Sequence, residues 1–85
     1  MALSRRELEQ ALEHLRQSDW QAAHAIVQQD EVSPLACWAH GIVHLMEGDL
    51  PNARYWYGEA KRAFPAKPDA GAETQALARA LGGKD

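Results

Sequence analysis

Two histidines and a glutamate at positions 40, 44 and 47 stand at i, i+4 and i+7, which puts two imidazoles and a carboxylate on one face of any helix that carries them. Imidazole and carboxylate donors suit Zn²⁺ and similar divalent ions, and three such ligands would leave a coordination position open. The competing reading is structural: this spacing arises readily in helices, the HExxH order is missing, and no second carboxylate cluster supports a dinuclear centre. His40, His44 and Glu47 are thus the metal candidates of this chain, set against histidines hydrogen-bonded between helices or turned to solvent, with pH-sensitive assembly as a further reading. No cofactor is expected. His14 stands in the first half of the chain where His44 stands in the second.

Other chemistries find less support. The sequence has no Ser/His/Asp arrangement, glycine-rich phosphate loop or defended carboxylate pair, so no catalytic residue is assigned and the chain reads as non-enzymatic. The single cysteine, Cys37, cannot close an intramolecular disulfide; beside Trp38 in an apolar stretch it reads as a buried, reduced thiol. Trp20, Trp38, Tyr55, Trp56 and Tyr57 could stack on bases, with Arg54 and Lys61 near Tyr55. Tyr57, Trp20 and Trp56 read better as packing between helices, which leaves Trp38 and Tyr55 as the exposed aromatics. A formal net charge of −3 argues against nucleic acid as a general partner. The charge is uneven: residues 1–49 carry three basic and eight acidic side chains, whereas 50–67 carries Arg54, Lys61, Arg62 and Lys67 against Glu59. Arg54 and Lys61, seven apart, share a helix face and make a small basic stripe, which reads as a solvated outer face. Met1-Ala2-Leu3 runs into Ser4-Arg5-Arg6-Glu7 without an apolar core, so no signal peptide is expected. The apolar stretch 34–46 is too short to span a bilayer, so no membrane partner is expected and the expected location is cytoplasmic.

The elements that must position these residues read as helices. Ser4 and Glu7 form a capping box, with Leu3 and Leu8 placed as a hydrophobic staple, and Leu8, Ala11, Leu12 and Leu15 make one apolar stripe running to about Arg16 or Gln17. Asp19 caps a second helix from Trp20 to about Gln29, with Trp20, Ala23, Ile26 and Val27 inward. Ser33-Pro34 opens a third helix that stops at Gly48. Asp49 caps a fourth, ended by Pro65 and Pro68, in which Gly58 marks a close approach of another helix. Asp69 caps a fifth, Ala70 to Leu81, whose thin apolar face is carried by Leu77 and Leu81. The fold class is all-α, and 85 residues make one domain.

Gly41, Gly48, Asp49, Leu50, Ala53, Tyr57, Ala60 and Pro65 together resemble one tetratricopeptide repeat, spanning 33–67. Ala11, Ser18, Asp19, Trp20 and Ala23 form a weaker copy in 4–31, and 69–82 would be the capping helix. The run from Gly48 to Tyr57 also resembles small bacterial proteins to which no activity attaches. The repeat resemblance implies a concave groove lined by the first helix of each unit. By position, Leu8, Leu12 and Leu15 would line it from the first unit, and Leu35, Trp38, Ile42, Leu45 and Met46 from the second, with Arg5, Arg16 and Glu47 at the rim. The lysine and asparagine side chains that clamp a C-terminal carboxylate in related repeats are missing. The expected function is therefore protein binding through an apolar groove, the occupant being a partner helix or a second copy. Three alternatives stay open: a structural homodimer, a metal or small-molecule module built on His40, His44 and Glu47, and a strip that is ordinary core.

Overall fold

The Ser4 hydroxyl accepts from the Glu7 amide while the Glu7 carboxylate accepts from the Ser4 amide, so the first helix starts with the reciprocal cap that its sequence encodes. The computed structural model describes residues 2–82. Within them lie α1 (Arg5–Arg16), α2 (Trp20–Val27), α3 (Pro34–Glu47), α4 (Leu50–Glu59) and α5 (Ala70–Gly82), with no strand among the described residues. α1 and α2 form one antiparallel hairpin and α3 and α4 a second, and α2 packs on α3 to join them.

Both hairpins turn in the same way. The Asp19 amide donates to the His14 carbonyl at 2.8 Å, and the Asp49 amide to the His44 carbonyl at 2.9 Å. Each turn places one residue in the left-handed region, Ser18 at φ 59° and Gly48 at φ 88°. Each aspartate then caps the next helix, Asp19 on the Ala22 amide and Asp49 on the Asn52 amide.

Two expectations about α4 are corrected. The helix ends at Glu59 rather than at the prolines, because Lys61 takes φ 60° and the Arg62 amide closes back on the Tyr57 carbonyl at 3.0 Å. Phe64 then returns against Tyr57, with ring centroids 5.3 Å apart. Lys61 consequently leaves the helix that carries Arg54, and the basic stripe dissolves: Arg54 lies over Phe64, and Arg62 over Trp38. Gly58, expected at a close helix approach, is not where the helices cross. A Cβ on Gly58 would meet nothing within 4 Å, whereas one on Gly41 would come within 2.5 Å of the Tyr57 ring and 3.3 Å of the Ala53 carbonyl. The close crossing of α3 and α4 is therefore made at Gly41, on the helix opposite Tyr57. α2 is also two residues shorter than its pattern suggested, ending at Val27, and the chain turns there to deliver Asp30 into the interior.

α5 decides what becomes of the groove. It packs across α1 and α3 and reaches α4 through Glu73, whose Oε1 accepts from Tyr57 Oη at 2.6 Å and from Trp38 Nε1 at 3.1 Å. A following repeat unit would stack on the preceding hairpin; α5 instead lies over the first helices of both hairpins. Burial, then the hydrogen bond to Glu73, raises the Tyr57 phenol well above its ordinary range, so it stays a donor.

Candidate functional site

Every residue from Ala36 to His44 on α3 is buried, because α3 is covered by α2, α4, α5 and part of α1. His40 and His44 therefore face protein rather than water. α2 brings His24 against them: its ring meets His40 edge-on at 4.9 Å between centroids and His44 at 5.6 Å, while His40 and His44 stack at 5.1 Å. One potential ligand nitrogen from each ring belongs to a set whose members lie within 4.8 Å of one another. His40 also stacks on Trp56 of α4, nearly parallel at 3.9 Å. Three helices thus fix the cluster, two by supplying imidazoles and one by supplying the indole that holds a ring in place.

The polar groups of the cluster are unevenly satisfied. His44 Nδ1 lies 2.7 Å from Glu47 Oε1. With Nδ1 held as the donor, Nε2 keeps its lone pair for another partner. His40 is 3% exposed, and its Nδ1 is buried without a hydrogen-bond partner among the described residues. Burial first, then the neighbouring His44 and His24, push the His40 pKa down to about 3. His40 is therefore the neutral imidazole at physiological pH, the form that ligates a metal. His24 is half-buried and forms the outer side of the cluster.

Of the expected trio, the structure brings His40 and His44 together and puts Glu47 behind His44 as its hydrogen-bond acceptor. Glu47 and His44 also share a second set with Asp49, whose two oxygens are engaged by Asn52 at the start of α4. The third imidazole comes from His24, which spacing along α3 cannot reveal because it arrives from another helix. Its signal lay in α2: Trp20, Ala23, His24 and Val27 follow the helical stripe that turns inward, so a histidine stood on a buried face. His14 is in neither set, although its Nδ1 is likewise buried without a partner among the described residues.

The proposed groove lining is placed differently. Leu12, Leu15, Trp38 and Ile42 are buried, and Leu8, Leu35, Leu45 and Met46 are half-buried and packed on the same core. The physical reason is α5, whose Leu77 and Leu81 sink into the α1/α3 face that a partner helix would have used. Trp38 is correspondingly no exposed aromatic; Tyr55, 56% exposed, is. Cys37 is a buried free thiol, and burial followed by the charges of Asp30, Glu59 and Glu31 raises its pKa, which suppresses the thiolate. Among the described residues no helix is long and apolar enough to cross a membrane.

No family model matches the chain, and neither curated proteins nor solved structures give a match.

Proposed function

We propose that this protein is a binding module for a divalent transition metal, Zn²⁺ or an ion of similar preference, held by His24, His40 and His44. The observation that carries this reading is the convergence of three imidazoles from two helices, one nitrogen of each within 4.8 Å of the others, beside a buried His40 Nδ1 that has no partner among the described residues. Buried polar atoms in native proteins are paired in the great majority of cases, and an unpaired one costs about 1–3 kcal/mol. An ion held through His40 Nδ1 would supply the missing interaction.

Tetrahedral Zn²⁺ with Zn–N bonds of about 2.0–2.1 Å requires donors about 3.4 Å apart. The three donor atoms, within 4.8 Å of one another, would have to draw together to that spacing, and His24 is the least enclosed of the three. Glu47 would act as the carboxylate that orients a ligating histidine and raises its basicity. Three protein ligands leave one position for water or an exogenous donor. The reading assigns binding, not turnover. By tying α2 to α3, the ion would also stabilise the fold, since the unfolded chain offers no preformed site.

Calorimetric titration with Zn²⁺ and visible absorption of the Co²⁺ adduct test this reading. One ion per chain and the intense bands of four-coordinate cobalt are expected for the wild type, and both should be lost in His24→Ala. Equal binding by wild type and His24→Ala, or none by either, would overturn it. At free zinc one hundred times the dissociation constant, the stabilisation should reach about 2.7 kcal/mol.

A further inference from the structure

A cleft lies away from the histidine cluster, between the C-terminal ends of α1 and α3 and one face of α5. Its volume is about 580 Å³, within the range of about 300–1,000 Å³ usual for small-molecule sites. Leu15, Met46 and Ala78 line it with apolar surface, and Arg16, Arg79 and Ser18 add polar groups. None of its described lining residues is acidic, although acidic side chains outnumber basic ones in the chain as a whole. We propose that this cleft binds a small amphiphilic carboxylate, its chain on the apolar floor and its head between Arg16 and Arg79.

Two further observations support that occupant. Arg16 reaches Glu13 at 3.5 Å in a pair whose side chains are both more than half exposed, an interaction that water and salt weaken and that a better acceptor can replace. Arg79 makes no ion pair among the described residues, so both guanidiniums can offer their donor forks to a planar carboxylate. Ser18 is the second observation. It holds φ 59° at the turn position where the other hairpin has Gly48, and a residue with a Cβ pays a conformational penalty there. Ser18 lines the cleft beside Arg16, so its hydroxyl would be a further donor to the head. The N-terminus of α5 is not the anion's partner, because Asp69 already accepts from the Ala72 amide there.

The test is titration of isotopically labelled protein with octanoate, followed by amide NMR, with octanol and inorganic phosphate as parallel probes. Octanoate should give saturable shifts confined to residues 15–18, 46 and 70–79, with at least tenfold weaker binding of octanol and of phosphate. Arg79→Gln, at an exposed position, should weaken octanoate at least tenfold while leaving the melting temperature unchanged. Ser18→Gly should raise the melting temperature and weaken octanoate several-fold, two readouts that a purely structural role would not separate. Shifts that fail to saturate or map elsewhere, octanol binding as well as octanoate, phosphate binding as well as octanoate, or an Arg79→Gln variant with wild-type affinity would each overturn the proposal. The cleft shares no lining residue with the histidine cluster, so this outcome is independent of the zinc titration.

Discussion

Asp30 and His40 are both polar, both almost fully enclosed, and resolved in opposite ways. Asp30, 1% exposed, accepts from the Leu3 amide on one oxygen and from the Val32 and Ser33 amides on the other, at 2.9–3.1 Å. It ties the segment ahead of α1 to the loop between α2 and α3. His40 offers a nitrogen that no described residue meets, beside two other imidazoles. A buried group with every partner in place holds the fold together; His40, enclosed and without a partner at Nδ1 among the described residues, belongs instead to the cluster proposed to hold a metal.

Substitution at Asp30 should produce the largest effect. Asp30→Ala removes a charged acceptor from three amides, and urea denaturation should show a loss of about 3 kcal/mol. The pH dependence sharpens the point. Burial alone would raise the Asp30 pKa, but hydrogen bonds from Ser33, Leu3 and Val32 outweigh it and hold the carboxyl well below the usual range. A depressed folded value means that Asp30 contributes fully above its unfolded pKa of about 3.9 and that the contribution fades as pH falls below that. Denaturation midpoints between pH 5 and 2 should therefore fall less steeply in Asp30→Ala than in wild type.

His40→Leu should run the other way. Replacing an enclosed imidazole by a side chain of similar bulk removes an unpaired polar atom at the expense of the stack on Trp56, so the metal-free protein should change by no more than about 1 kcal/mol, while the zinc-induced rise in melting temperature disappears. A loss as large as that of Asp30→Ala would show that His40 is a structural group like Asp30 and would erase the contrast. The smallest effect belongs to His24→Ala at the half-buried edge. The metal-free melting temperature should shift by only a few degrees, corresponding to about 0.5 kcal/mol, with metal binding lost.

Legibility followed the range of the interaction. The caps at Ser4, Asp19 and Asp49 and the glycine stop at Gly48 were plain in the sequence, because each is a hydrogen bond or backbone angle settled within a few residues. His40, His44 and Glu47 were legible as a helical face for the same reason. The end of α4 was not: prolines at 65 and 68 marked where a helix cannot continue, but the chain already turns at Lys61, and Phe64 packs back on Tyr57. Gly58 misled because a glycine inside a helix signals crowding only if a neighbour is there, and the neighbour lay at Gly41. Asp30 and Glu73 carried no local pattern, since their partners stand as far as 27 and 35 positions away.

What the sequence determined by itself is an all-α chain of five helices with two matched hairpin turns, because capping, periodicity and turn chemistry act over a few residues and need no knowledge of the rest. Tertiary structure decided which surfaces exist. The apolar faces of α1 and α3 could have faced a partner, a second copy or the chain's own last helix with equal local logic. The docking of α5, fixed by Leu77, Leu81 and the acceptor Glu73, turned that groove into core. The packing of α2 on α3 brought His24 to His40 and His44, a convergence that depends on how two helices cross and on no single helix's spacing.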